Sequence, residues 1–298
     1  MRPFDLHEPR SVAEASVLLR QLGERGKVYA GGTELLLILK QGLASYEALV
    51  NIKRIPGLAG IAYNPSAGHL EIGALATHWD LEWSPVLRER LPLLARVERQ
   101  VANPRVRSVG TIGGNLAFGD PHADPPTFLL ALDALLHVES DRGTRTVPVA
   151  GFYQDAYTTA LRHDEILTRV VIPLPTPGTR LGYRRFGYLE RPSLGVAVAM
   201  TFGDGVVQRC RIAIGCVGPV PLRVPAAEEV LTGLAHHEVH RRAAQAAEAA
   251  AAAVDPVDDL HGSAEYKRSL VEVMTRRTIW DCLSEVGGRS DRCASSSS

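Results

Sequence analysis

Cysteine is scarce in this sequence: Cys210, Cys216, Cys282 and Cys293 are the only four in 298 residues. That excludes a disulfide framework and leaves the thiols as small buried hydrophobes in a reducing compartment. Cys210 and Cys216 sit in an apparent strand at a spacing that matches no familiar zinc or iron–sulfur pattern. An excess of charge is missing too, since Lys plus Arg and Asp plus Glu both number 33. No basic stripe points to nucleic acid, and no acidic block points to a solvating tail. No stretch approaches the roughly 18 uninterrupted apolar residues of a membrane helix. The opening MRPFDLHEPRSVAEA lacks the apolar run of a signal peptide. A cytoplasmic protein is expected, one that neither enters a membrane nor binds nucleic acid. Several catalytic signatures are also absent. There is no G-x-G-x-x-G and no G-x-x-x-x-G-K-[ST], which disfavours a Rossmann nicotinamide site and P-loop NTP hydrolysis. There is no G-x-S-x-G elbow, no H-E-x-x-H and no cysteine in a nucleophile motif.

What is present reads as a globular chain, 45% hydrophobic and 22% charged, with room for two domains of ordinary size. Ser11 to Leu22 predicts an amphipathic helix capped by Ser11, with Val12, Ala15, Leu18, Leu19 and Leu22 apolar. Lys27–Ala30 reads as a strand, Gly31-Gly32-Thr33 breaks it, Glu34–Lys40 resumes as a helix, and Ala48–Asn51 is a strand again. Further strands are expected at Gly60–Tyr63, Leu70–Gly73, Ala134–Glu139 and Ile166–Ile172, and helices at His78–Trp83, Leu91–Val101 and Pro126–Leu132. Pro173 to Thr179 reads as a linker. Then come β-rich runs at Leu181–Tyr188, Gly195–Phe202 and Val206–Gly215, with Gly203-Asp204-Gly205 as a hairpin signal. Two long helices, the alanine-rich Glu238–Val254 and His261–Glu285, precede a Ser295–Ser298 run expected to be disordered. The fold class is α+β.

Two glycine loops carry the chemical interest. In "YAGGTELL", Tyr29 to Leu36, a strand runs into two glycines and a threonine and a helix starts at once. Glycine admits close backbone approach, and a helix start offers unpaired N–H groups with partial positive charge, which suits a phosphate or pyrophosphate. A plain tight turn is the competing reading. Glu34 would repel an anion if it pointed inward, so its carboxylate should face away. In "SVGTIGGNLAFGDPHAD", Ser108 to Asp124, the glycines Gly110, Gly113 and Gly114 free the backbone while Thr111 and Asn115 offer short polar side chains. Two such loops converging on one diphosphate would hold it mostly through backbone N–H groups, with Asp124 accepting from a sugar hydroxyl. A metal site at Asp120, His122 and Asp124 is the alternative, though the donor set is poor in nitrogen and sulfur. His236, His237 and His240 pose a similar question on a helix. The protein looks built to hold something whose own chemistry does the work.

Taken together, "AGGTELL" and "RSVGTIGGNLAFGDPHADPP" resemble the FAD-binding medium subunits of the molybdenum hydroxylases, a family that includes the carbon monoxide dehydrogenase medium chain and the flavin domain of xanthine dehydrogenase. The likeness continues through "FLLALDA", "TTALRHDEILTRVVIP", "RIAIGCVGPVPLRVPAAE" and "DLHGSAEYKRSLVEVMTRR", covering nearly the whole chain in order. It implies a PCMH-type FAD-binding fold in residues 1–175, with α+β subdomains at about 1–55 and 56–175. It also implies a C-terminal antiparallel sheet plus helices at 180–288 and a tail at 289–298. By motif position, Ala30, Gly31, Gly32, Thr33, Glu34 and Leu35 would wrap the pyrophosphate with Thr111, Ile112, Gly113, Gly114 and Asn115. Asp124 would bind the ribityl or ribose region, Leu167 would lie against the flavin, and Val101 would come near the rings. No side chain need act as a catalytic acid or base.

The resemblance further implies an electron-transfer subunit. Substrate is hydroxylated at a molybdopterin centre in a large subunit, electrons cross 2Fe–2S clusters in a small subunit, and FAD passes them to an external acceptor. The rivals are a standalone FAD-dependent oxidoreductase and a non-catalytic nucleotide-binding assembly module of the same fold. Some features depart from the pattern. Some relatives carry a lysine beside the flavin where Gly187 aligns here, with Arg184 and Arg185 nearby. The four-cysteine insertion of hydroxybenzoyl-CoA reductase-like relatives is missing, and the chain has no molybdopterin or 2Fe–2S motif of its own.

Overall fold

The computed structural model describes residues 2–187 and 190–284. The expected tail at 289–298, with Ser295–Ser298, lies outside the described residues, as do Tyr188 and Glu285 at the ends of two expected elements. The chain begins with β1 (Asp5–His7), α1 (Val12–Leu22), β2 (Gly26–Tyr29), α2 (Leu35–Gln41) and β3 (Ala48–Asn51). Ser11 caps α1, its hydroxyl accepting from Glu14 N at 3.1 Å, and Ala15 and Leu19 face the core. The strands form a parallel sheet in the order β1-β3-β2, with Tyr29 opposite Asn51 at the C-terminal edge. The first glycine loop leaves from that edge, where parallel α/β sheets place their ligands.

The middle of the chain runs through β4 (Ile61–Asn64), β5 (His69–Gly73), α3 (His78–Trp83), α4 (Pro85–Arg90), α5 (Pro92–Arg99), α6 (Pro104–Arg107), α7 (Ile112–Phe118) and α8 (Asp124–Ala131). It continues with β6 (Leu135–Ser140), β7 (Gly143–Pro148), β8 (Tyr153–Asp155), β9 (Thr158–Thr159) and β10 (Ile166–Pro173). Five strands pair antiparallel in the order β4-β5-β10-β6-β7, and β8 pairs with β9 alone. Central β10 is buried on both faces, which explains why Ile166, Leu167, Val170, Val171 and Ile172 crowd into one strand around Thr168 and the part-exposed Arg169. The third part holds β11 (Thr179–Phe186), β12 (Leu194–Gly203), β13 (Val206–Gly215), β14 (Leu222–Arg223), α9 (Pro225–Leu231), α10 (His236–Ala253) and α11 (Ala264–Leu283). Its sheet is antiparallel in chain order. Asp204 and Gly205, with φ of 51° and 76°, turn the β12–β13 hairpin as the sequence predicts.

Strand periodicity decides how this sheet joins the rest. Along β12, Val196, Val198 and Met200 enter a core with α10 and α11, while Ala197 turns to the other face and joins the core of the five-stranded sheet. Between the two lies α8, buried along its whole length, so its apolar residues show no amphipathic stripe. Ala243, Ala246, Ala247 and Ala250 are fully buried and let α10 approach its neighbours closely. The described thiols, Cys210, Cys216 and Cys282, are free and buried, and burial pushes Cys210 up to about 12.

The structure adds elements that the sequence reading does not contain: β1, α4, α6, α7, β7, β8, β9, β14 and α9. The most consequential correction concerns Ser108–Asp124, which reads as a loop but carries α7. Thr111 caps this helix in extended backbone, its hydroxyl accepting from Gly114 N at 3.1 Å. Tertiary packing outweighs the poor helix propensity of Gly113 and Gly114, since a Cβ on Gly113 would lie 2.4 Å from the Ala74 Cβ. Pro173 and Thr179, the ends of the expected linker, belong to β10 and β11.

Candidate functional site

The two glycine segments meet. A Cβ on Gly31 would stand 2.4 Å from Val109 O and 2.9 Å from Gly110 Cα, so only glycine lets the first loop touch the backbone of the second. Gly32 has φ 78°, and the Tyr29 ring lies beneath it. Lys53 covers that ring at 3.4 Å and donates to Ala30 O at 3.1 Å, which brings a cation to the base of the loop. Leu36 N donates to Gly32 O as α2 begins. The N–H groups of Gly31, Gly32, Thr33, Glu34 and Leu35, by contrast, find no acceptor among the described residues. Such a run of free donors at a helix start is a seat for an anion.

The second segment works differently from the expectation of a backbone cradle. Ile112 N donates to Ala76 O at 3.0 Å, Gly113 N to Ala74 O at 2.9 Å, Gly114 N to the Thr111 hydroxyl and Asn115 N to Thr111 O at 2.9 Å. Its helical N–H groups are therefore used up within the protein. What it offers is Asn115, whose Oδ1 is buried without a partner among the described residues, and the surface of Gly114. A Cβ on Gly114 would meet only Thr111 Oγ1 at 2.8 Å and the Ala30 Cβ at 4.0 Å, which places that position opposite the first loop. The free donors of one loop, the orphaned amide oxygen of the other and the cleft kept open at Gly114 fit a diphosphate with a hydrogen-bonding sugar chain attached.

Asp124, at the start of α8, is 3% exposed. Its Oδ1 accepts from Tyr183 Oη at 2.6 Å and lies 3.6 Å from Arg185 Nε. Burial raises its pKa to about 6, against the opposing pull of Arg185 and Tyr183. Tyr183 and Arg185 project from one face of β11, while Arg184 between them turns away to a bidentate pair with Asp281 at 2.6 and 2.8 Å. Arg185 also donates to Gln100 O at 2.5 Å, beside Val101. The basic residue that reaches this site is thus Arg185; Gly187 is exposed at the end of the strand. Val101 is buried next to Ala102, whose φ of 43° is in the left-handed region. Leu167 is 4% exposed on β10, in the core of the five-stranded sheet, on a strand that α7 packs against.

The Glu34 carboxylate is occupied by a cation: its Oε2 pairs with Arg191 at 3.0 Å. Asp120, His122 and Asp124 do not converge on a metal. Asp120 Oδ2 pairs with Arg191 at 3.3 Å, the His122 ring packs on His261 at 4.5 Å between centroids, and Asp124 is held by Tyr183. His240 stacks on Trp280, and His236 lies 3.4 Å from Arg180. Among the described residues no group of His, Cys, Asp or Glu is placed to hold a metal ion, and no helix is long and apolar enough to cross a membrane. Lys53, Tyr183 and Arg191 are contributions that the sequence does not announce, and of the neighbouring Arg184 and Arg185 only Arg185 approaches Asp124. Only the alternation of Tyr183 and Arg185 along a strand could have signalled a shared face.

Residues 2–175 match the family described as the FAD binding domain in molybdopterin dehydrogenase, and residues 191–281 match the CO dehydrogenase flavoprotein C-terminal domain. The carbon monoxide dehydrogenase medium chain of Hydrogenophaga pseudoflava is 38% identical over 282 residues, covering 93% of this chain and 96% of that one. The nicotine 6-hydroxylase medium subunit of Paenarthrobacter nicotinovorans is 36% identical, covering 91% and 94%. In the solved carbon monoxide dehydrogenase from Hydrogenophaga pseudoflava, a chain superposes with a TM-score of 0.90, covering 95% of this chain and 98% of that one. The chain belongs to the FAD-binding medium subunits of the molybdenum hydroxylase family.

Proposed function

We propose that this chain is the electron relay of a cytoplasmic heterotrimeric molybdenum hydroxylase. Electrons released by hydroxylation at the molybdopterin centre of a large subunit would cross 2Fe–2S clusters of a small subunit, reach FAD here and leave to an external acceptor. Residues 1–175 are assigned to the FAD-binding part and 180–288 to the C-terminal domain, whose Tyr183 and Arg185 reach Asp124. FAD, when bound, supplies the redox chemistry. The chain's own residues bind and orient. The N–H groups of Gly31 to Leu35 hold the diphosphate, with Ala30 shaping the loop and Lys53 lending positive charge. Thr111 and Asn115 face it from the second segment, where Ile112 and Gly113 fix the backbone and Gly114 leaves room. Asp124 accepts from a ribityl or ribose hydroxyl, held in place by Tyr183 and Arg185. Val101 and Leu167 are assigned to the flavin end.

One observation carries the reading: the uninterrupted free donors of Gly31 to Leu35 lie opposite a second segment whose Gly114 lacks any side chain. The test mixes FAD-loaded protein anaerobically with 2Fe–2S and molybdopterin subunits from the same organism, then adds their substrate. Flavin bleaching that requires both partners is expected. Turnover of a small molecule by the FAD-loaded chain alone would overturn the relay.

A further inference from the structure

Arg191 stands between two carboxylates that belong to different glycine segments. It lies 3.0 Å from Glu34 Oε2 at the start of α2 and 3.3 Å from Asp120 Oδ2 just beyond α7. The backbone on either side of it is pinned. Glu190 Oε1 accepts from Asn103 Nδ2 at 2.6 Å, Glu190 O accepts from Arg185 Nη2 at 3.1 Å, and Pro192 O faces His122 Nδ1 at 2.9 Å. Tyr157 borders the same cluster with φ 58°, a left-handed conformation that is rare for a bulky side chain. Its amide is fixed by Gly119 O at 2.8 Å. Arg191 is therefore delivered to this point by the fold, at the junction of the two segments that line the cleft.

Electrostatics gives that position a purpose. A carboxylate at the N-cap of α2 is the natural competitor for the free N–H groups of its own loop. Two carboxylates facing a diphosphate would also repel it in a partly desolvated cleft. We propose that Arg191 is a positioning residue for the cofactor. It draws Glu34 and Asp120 away from the diphosphate, cancels their charge and ties the first glycine segment to the second, with no need to touch FAD itself. The inference rests on the diphosphate lying between these two segments.

The test is a titration of cofactor-stripped full-length protein with FAD, followed by quenching of flavin fluorescence, with circular dichroism confirming the fold of each variant. Arg191→Ala is expected to weaken binding about tenfold or more, and adding Glu34→Gln and Asp120→Asn to restore it to within about threefold of wild type. Asp120→Asn keeps the Oδ1 acceptor that His122 N uses at 2.9 Å. The pair Glu34→Gln/Asp120→Asn in the wild-type background is expected to bind FAD at least as tightly as wild type. Binding by Arg191→Ala within about twofold of wild type overturns the proposal. So does a triple variant as weak as Arg191→Ala, which would put Arg191 directly on FAD. If Arg191→Ala does not fold, the carboxylate pair decides alone, and weaker binding there overturns the proposal. Gly114→Val in the same titration separates the two layers. Normal FAD binding by that variant rejects the diphosphate placement, whereas weak binding there beside normal binding by Arg191→Ala rejects only the role of Arg191.

Discussion

Asp124→Asn should make the apo-protein more stable near neutral pH while weakening its hold on FAD. Asp124 is 3% exposed, and burial carries its pKa from 3.8 to about 6 in spite of Arg185 and Tyr183. The native state therefore binds a proton here more tightly than the unfolded chain does. The stabilisation that comes with protonation is full below 3.8 and is lost as pH rises through about 6. Over that interval it amounts to about 3 kcal/mol, of which about 1.4 kcal/mol separates about pH 5 from about pH 7.5. Asparagine imitates the protonated acid and keeps an oxygen for the Tyr183 hydroxyl, so this component vanishes in the variant. Urea unfolding of both apo-proteins measures it. The variant should gain on wild type by about 1.4 kcal/mol between about pH 5 and about pH 7.5. A difference between the two proteins that stays constant across that range would refute the argument. If Asp124 accepts from a cofactor hydroxyl, FAD affinity falls in the same variant, a trade of function against stability.

Two further substitutions test other joints of the structure. Gly31→Ala forces a methyl onto Val109 O, so the two segments must separate. Apo-protein unfolding should show a loss of about 1–3 kcal/mol, with FAD affinity reduced as well; an unchanged midpoint would contradict the close approach. Asp133, with φ 51°, faces Arg209, Arg211 at 3.2 Å and Arg223 at 3.1 Å, linking the end of α8 to the C-terminal sheet. Asp133→Asn keeps a residue that tolerates that backbone. Because these groups are partly exposed, the loss should be about 1 kcal/mol in dilute buffer and should fade in about 1 M salt.

Local signals in the sequence are legible where the determining contacts are local. Ser11 caps α1, Gly203-Asp204-Gly205 turns a hairpin, and β3 and β13 fall at the expected residues, because capping, turn chemistry and strand alternation act over a few positions. The helix α7 is hard to read from the sequence, since two glycines argue against a helix and Ala74 and Ala76, far back in the chain, provide the acceptors for its first two N–H groups. The same distance hid the partners of the site. Tyr183 meets Asp124 across 59 positions, and Arg191 meets Glu34 across 157. Glycine motifs marked which backbone approaches closely, but whether its N–H groups were free depended on tertiary partners. That is why the first segment kept its expected donors and the second did not.

What has to hold above all is that the cleft between Gly31–Leu35 and Thr111–Asn115 seats the diphosphate of FAD. The most direct measurement is the flavin-to-protein ratio of Gly114→Val after incubation with excess FAD and desalting, on material whose thermal unfolding matches that of wild type. The branched side chain would enter the space now bounded by Thr111 Oγ1 and Ala30. Wild type is expected to retain near-stoichiometric flavin, and the variant almost none. Full flavin occupancy in folded Gly114→Val protein would contradict the assignment.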